Sequence, residues 1–406
     1  MIKTMKIRVP NFLKNSKIKK ILSILNPKPS IGGLEISESA MKFILAEDGK
    51  LVRAAVDLPP GILEGGRIKD FGAFKSALLQ LHSQIFVNPK KKIYVILNIP
   101  DINVYTQVFN LPPAAENNMD EAVRLNLQMI SPSDFSAVYS DWQRVGETKI
   151  DGHQMEILGA FVQKQIIDDL VKGLKETNFV VVAIEFYSLA IARIISAMGE
   201  IANFCLLMRL DSGGMGFSVI RKGNLYFQHF IPWPIQEEKQ ITFDILKSLI
   251  IREIQKVLNF SSKQWPDKIE KIFLISSSLE DKITQIITEN FPLAVQKLSL
   301  PEELRDSGGL WSFSGEELKS LDSDLLGAFS ASLRGLISRS RDIIISLAST
   351  GTEEEFRQNQ TIYFAKIWRN IIATSFGFVA VVFLAVDIFM IGTASSLNRQ
   401  LANIVN

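Results

Sequence analysis

The sequence predicts an α/β protein of layered sheets in two similar halves, with one membrane-crossing helix behind them. Each half opens with a β-hairpin pattern and continues through alternating helices and strands, the layout of a layered α/β protein. Composition agrees: the 406 residues are 47% apolar and 22% charged, ordinary for packed domains. The third observation is Ile371 to Ala394, a run of 24 residues with one charge, Asp387. Such a helix is about 36 Å long, and a bilayer core needs only about 20 apolar residues.

In chain order, residues 31–58 alternate as strand, turn and strand, with the turn at Asp48-Gly49. LPPGILEGG (58–66) is a Pro- and Gly-rich loop. Asp70 to Phe86 has helical periodicity through Phe71, Phe74, Leu78, Leu79 and Leu81. Strands follow at 92–99 and 104–111, the second stopped by Pro112-Pro113. Asn118 to Met129 is a helix whose first-turn acids, Asp120 and Glu121, suit its dipole. Strands at 137–145 and 155–162, a helix at 164–177, a strand at 180–186 and a helix at 188–198 complete the first half.

The second half begins with a hairpin, 204–210 and 216–221, around DSGGMG. A strand at 225–232, a long amphipathic helix at 242–258, a strand at 269–275, a helix at 281–291, a strand at 294–298 and a helix at 321–332 follow.

Charge and cysteine usage narrow the function. A net charge of +2 argues against a dedicated nucleic-acid binder. One cysteine, Cys205, excludes an intramolecular disulfide and suits a reducing compartment; within FCLLM it reads as a buried small hydrophobe rather than a reactive thiol. His82, His153 and His229 are isolated, no HExxH or P-loop is present, and no Gly-x-Ser-x-Gly elbow exists. No metal site is expected.

The first 30 residues hold eight Lys or Arg and no acid, and lack the apolar core of a secretory signal. The folded portion is therefore expected in the cytoplasm. Arg357, Lys366 and Arg369 precede the span and only Arg399 follows, as the positive-inside rule requires, and Tyr363 and Trp368 suit an interfacial belt. The basic arm has two readings, attraction to anionic lipid or a solvated leader. Asp387 reads equally as a helix-packing contact, an interfacial residue or an ion-handling group. Ser395 to Asn406 forms a short outer tail.

The order of elements, with several short runs, resembles the PilM family of type IV pilus assembly proteins over about residues 31–336. The runs are LPPGILEGGRIKD (58–70), NLPPAAENNMDEAVRLNLQMISPSDFSAVYSDWQRV (110–145), AIEFYSLAIAR (183–193) and LLGAFSASLRGL (325–336). The resemblance implies a bilobed actin-like (ribonuclease-H-like) fold, with an inserted subdomain at about 90–165. Asp141-Trp142 is expected as a structural or contact pair there, the Trp in a core.

In that family a neighbouring protein, PilN, carries an INLLP-like motif that docks in a groove of PilM, followed by a transmembrane helix. Here Asp342 to Leu347 reads DIIISL, then a polar linker to residue 370, then the span. It looks like a second family member fused on, since an extended apolar hexamer can add as a strand or fill a groove. The alternative is the domain's last strand.

An actin-like fold grips ATP phosphates with two hairpin turns and the adenosine with a Gly-rich loop. The family's first turn resembles DIGSTSVK; here it is EISESAMK (35–42), with Glu35 for Asp, Ser37 for Gly, and Lys42 kept. Glu38 adds a charge beside the expected phosphate. The family's second turn carries Asp-Ile-Gly, and Arg209-Leu210-Asp211 stands there, followed by Ser212, Gly213 and Gly214. The adenosine loop, SGGGA-like in the family, is SSSLE (276–280). Ser37, Lys42, Asp211, Gly213 and Gly214 are the candidates for any remaining ATP and magnesium binding. The departures point to a degenerate site and no enzyme.

The resemblance therefore implies a single-pass scaffold of an inner-membrane assembly platform, for a type IV pilus or a type II secretion system. Its partners would be pilus or secretion platform proteins, the motor ATPase and membrane lipid; a homo-oligomer stays open. The alternatives are a nucleotide-binding actin-like ATPase driving membrane-bound assembly, and a membrane-tethered enzyme like the sugar kinases.

Overall fold

The structure is a computed structural model that describes residues 29–47, 50–148, 154–199, 204–233, 242–276, 279–305, 312–319, 321–348 and 352–405. The basic arm, the Asp48-Gly49 turn, His153 and part of the 276–280 loop lie outside them. Residues 30–353 form one compact unit.

The first lobe is built on β1 (Ile31–Ile36), β2 (Ala40–Glu47), β3 (Lys50–Asp57), helix α1 (Phe71–Ile85) and β4 (Ile93–Ile99). Where the alternation suggests one strand before Asp48, there are two. Ser37 breaks it: its hydroxyl donates to Ala40 O at 3.0 Å and accepts Ala40 N–H at 3.1 Å, closing a tight turn. β1 is buried along its whole length, because parallel β4 flanks it on one side and antiparallel β2 on the other.

A separate three-stranded sheet follows, from β5 (Val104–Leu111), α2 (Met119–Ile130), β6 (Val138–Thr148) and β7 (Gln154–Gln163), in the order β5-β7-β6. It has its own small core of Leu111, Val123, Leu127, Val138, Met155, Ile157 and Phe161, with Trp142 partly buried against it. The chain returns through α3 (Lys164–Glu176) to β8 (Phe179–Phe186) and α4 (Tyr187–Ala197). The first sheet is then β8-β4-β1-β2-β3.

The second lobe repeats the plan with β9 (Phe204–Leu210), β10 (Gly214–Arg221), β11 (Asn224–Pro232), α5 (Phe243–Gln264), β12 (Lys271–Ser276), α6 (Glu280–Asn290) and β13 (Ala294–Lys297). Its sheet runs β11-β10-β9-β12-β13. α5 runs six residues past the apolar periodicity, to Gln264, and stops where Trp265 turns extended. Cys205 is buried, and burial pushes its thiol up to about 12.

α7 (Leu326–Gly335) then returns to the first sheet. It begins later than the periodicity suggests, because Ser323–Leu325 form a 3-10 turn ahead of it. The helix lies so close that a Cβ on Gly33 would sit 2.0 Å from Ala328 O, so glycine is required there. Finally α8 (Thr352–Val405) is a single 54-residue helix. Within it Phe364–Asn398 is long and apolar enough to cross a membrane, with none of its apolar window buried.

Candidate interlobe cleft and docked segment

Two features of the compact unit carry chemistry. The first is a cleft of about 230 Å³ between the lobes, lined by Glu35, Ser37, Glu38 and Lys42 from the first and Arg209, Asp211 and Gly213 from the second. Four of the five sequence-derived candidates thus line one cavity. The fifth, Gly214, stands behind Gly213, where a Cβ would lie 2.1 Å from Ile231 O. The 211–214 turn is an ordinary hairpin turn that Trp233 closes, donating Nε1–H to Asp211 O at 2.7 Å and N–H to Gly213 O at 3.1 Å.

The donors that a phosphate needs are already in use. Asp211 Oδ1 accepts the N–H groups of both Gly213, at 2.8 Å, and Gly214, at 3.1 Å. Ser37 N–H donates to Ala40 O. Lys42 Nζ donates to Asp324 O at 3.0 Å, with the Asp324 carboxylate at 3.8 Å. Glu38 reaches over the same space: its Oε2 lies 4.0 Å from where a Gly213 Cβ would be, and its Oε1 accepts Gly65 N–H at 2.6 Å.

Arg209, set by the resemblance at the Asp position of the second turn, lines the cleft from the second lobe. Its guanidinium ion-pairs with Asp211 and lies 3.7 Å from the Tyr187 ring centroid, a cation–π contact between the lobes. Burial alone would favour its neutral form, but Asp211, Tyr187, Asp101 and Glu35 together hold its proton more tightly than water does. Asp101, just after β4, accepts from Ser188 Oγ at 2.7 Å, and that hydroxyl meets Ser218 Oγ of the second lobe at 2.6 Å. Burial raises the carboxyls of Glu35 and Asp101.

A magnesium–nucleotide complex does not fit these residues. The turn amides are occupied, and carboxylates face the phosphate space. Among the described residues no group of His, Cys, Asp or Glu could hold a metal ion. Leu279, in the stretch expected from the resemblance to correspond to an adenosine loop, takes a left-handed conformation, φ 61°.

The second feature is the extended segment 342–347. It forms no ladder of its own; it lies against two sheet edges at once. Leu347 N–H donates to Ile184 O on β8 at 2.9 Å, and Ile184 N–H donates to Ser346 Oγ at 3.2 Å. From β6, Asp141 accepts Ser346 N–H at 2.7 Å and Gln143 accepts Ile345 N–H at 3.3 Å. Asp141 is thus a contact residue for this segment, and burial raises its carboxyl. Ile345 and Leu347 are fully buried, whereas Ile343 is 85% exposed.

Arg334, the penultimate residue of α7, holds the segment from behind. It donates to Ile344 O at 2.7 Å, Ile345 O at 2.9 Å, Asp342 at 2.9 Å and the buried Glu185 at 3.0 Å. Sequence reasoning passed over Arg334, Tyr187 and Asp101. A lone charge in the small and apolar run GAFSASLRGL was the available signal for Arg334. The same signal marks Arg209 in FCLLMRL.

Residues 33–230 match the family described as Type IV pilus assembly protein PilM. No curated protein matches the sequence. Among solved structures, a PilM-PilN type IV pilus biogenesis complex aligns with 77% of this chain and 100% of that chain, at 17% identity and TM-score 0.59. The cytoplasmic domain of EpsL, an inner-membrane component of the type II secretion system of Vibrio cholerae, aligns with 64% of this chain and 94% of its own, at 10% identity and TM-score 0.38. A Bacteroides thetaiotaomicron protein with an actin-like ATPase fold aligns with 67% and 91%, at 9% identity and TM-score 0.40.

Proposed function

We propose that this PilM-like protein, with its actin-like fold, is a membrane-anchored scaffold of a type IV pilus or type II secretion assembly platform, and that its nucleotide site is degenerate. The observation that carries the reading is the docked segment 342–347. It is clamped to the compact unit by main-chain and side-chain bonds, and α8 begins five residues beyond its last apolar anchor, Leu347. In this reading the clamped segment is where position or load passes from the body toward the membrane.

In this reading residues 342–347 act as a built-in counterpart of a PilN docking motif. Covalent connection replaces a bimolecular step by a high local concentration. The body lies on the cytoplasmic face, the span crosses the inner membrane once, and the basic arm adds attraction to anionic lipid. Partners are the platform proteins and motor ATPase of the same system. The rival reading, an actin-like ATPase driving assembly, draws on Lys42 and the Gly213-Gly214 turn, but their donors are spent internally.

Purification of the full chain from membranes with its helix intact tests the scaffold. Recovery of a secretion-motor ATPase or a platform protein is the expected result; recovery of neither would overturn it.

A further inference from the structure

We propose that the cleft is its own ligand: the carboxylates of Asp211 and Glu38 occupy the phosphate space, and the Arg209 guanidinium supplies the positive charge, so the lobes are held closed without nucleotide or metal. This rests on reading the cleft as a degenerate nucleotide site and states what replaced the nucleotide.

Three observations carry it. The first is the turn itself. In a phosphate-binding turn, successive backbone N–H groups converge on an anion. Here Gly213 and Gly214 converge on one oxygen, Asp211 Oδ1. That carboxylate belongs to the residue standing where the family has the turn's glycine. The anion has become part of the chain.

Charge is the second. A bound triphosphate brings a cation that neutralises it against nearby acids. Arg209 ion-pairs with Asp211 of its own lobe, and Glu35 of the first lobe lines the same cleft. These acids do not group closely enough to hold a metal. A planar guanidinium, with five donors on a long stem, serves separated carboxylates that one small ion cannot.

The third is lobe closure. Arg209 enters from β9 and stacks on Tyr187 of α4 at 3.7 Å. Ser188 Oγ, which donates to Asp101 at 2.7 Å, meets Ser218 Oγ on β10 at 2.6 Å and so bridges the lobes. These contacts cross between the lobes at the place where a nucleotide would otherwise join them. On the first-lobe side, Glu35 accepts Ala328 N–H at 3.1 Å, so the same network reaches α7.

The test uses the full chain in detergent, with magnesium–ATP and inorganic pyrophosphate as probes, read by thermal unfolding and calorimetry. The wild-type chain should bind neither at millimolar concentration. Asp211→Gly frees both turn amides and leaves Arg209 without its ion-pair partner. It should lower the melting temperature and gain pyrophosphate binding, with a dissociation constant at least about tenfold below any wild-type value; pyrophosphate should restore part of the lost melting temperature. Arg209→Met keeps the volume and removes the charge. It should speed hydrogen exchange at Gly213 to Met215 and gain no anion binding.

Magnesium–ATP binding by the wild-type chain overturns the inference, whatever the partner purification shows. So does an Asp211→Gly chain that binds no pyrophosphate. If Asp211→Gly does not fold, the wild-type titration and the Arg209→Met exchange still decide. Pyrophosphate binding by Asp211→Gly together with failed partner recovery sinks the scaffold and leaves the self-liganded cleft standing.

Discussion

Glu35 is a buried acid that gains stability from its proton. Burial raises its carboxyl above the usual 4.5, against the pull of Arg209, Lys42 and the Ala328 N–H. The folded state therefore keeps the proton to a higher pH than the unfolded chain. Between those two pKa values the folded state binds more protons, so stability falls as pH rises. The contribution is fully present below the unfolded pKa and is lost as pH climbs through the raised folded one. Glu35→Gln keeps an oxygen for Ala328 N–H and cannot titrate. Its stability relative to wild type should grow as pH goes from about 5 to about 8, measured by urea midpoints; a difference independent of pH would exclude the effect. Leu279 gives a second single-residue case. A left-handed non-glycine residue costs roughly 1–2 kcal/mol, so Leu279→Gly should stabilise by up to about that much, less the extra freedom glycine gains on unfolding. A lower denaturation midpoint in Leu279→Gly would show that helix α6 depends on the leucine side chain itself.

Helix α7 and the segment after it show which parts of this protein are legible locally. Periodicity places most of the longer helices and strands of the compact unit to within a few residues, because burial of one face is a local pattern; it does not place the start of α8, which is already helical at Thr352 where the sequence suggests a polar linker. It misses the break at Ser37, where a side chain bonding to its own backbone three residues on overrides the alternation. It marks DIIISL as apolar and extended, yet not which two residues are inside, since Asp141, Gln143 and Ile184 are distant in sequence. The cleft is similar. The turn residues are readable from the resemblance, but Arg209 becomes its centre only when Tyr187 and Asp101 fold beside it. Docking also depends on an element-scale clamp. Arg334 is 1% exposed and serves Glu185, Asp342 and two carbonyls. Removing one partner from a buried ion pair costs about 3–5 kcal/mol. Arg334→Met should therefore destabilise the unit by that order and raise exchange at residues 344–347 well above the rest of the first lobe. Ile345→Ala should cost about 2–5 kcal/mol and raise exchange over the same residues. A chain in which Arg334→Met unfolds uniformly, with no local opening, would show that the arginine supports the lobe and not the docked segment.

At the scale of the whole molecule, the compact unit and α8 pose opposite solvent demands. The unit buries its apolar residues in its own cores. Along the helix, Phe376, Phe378, Phe383 and Phe389 are each 66–72% exposed, and a continuous apolar surface of that kind marks a membrane or protein interaction site. In the proposed reading lipid is the solvent that satisfies it, because the helix bonds every interior backbone group within itself. A helix of 54 residues is about 80 Å long, and the hydrocarbon core is about 30 Å thick. In the proposed reading much of α8 therefore lies outside the core. Two attachments are then separable by experiment. An arm held by lysines alone would weaken with salt, since screening shortens the range of surface charge to about 3 Å at 1 M. A spanning helix is insensitive to it. The full chain should stay with membranes through high salt and alkaline carbonate, and a chain ending at Ala348 should be recovered in the soluble fraction, folded and with segment 342–347 still docked. Release of the full chain by salt would mean that α8 lies on the surface, and the body would then have no path for load across the bilayer.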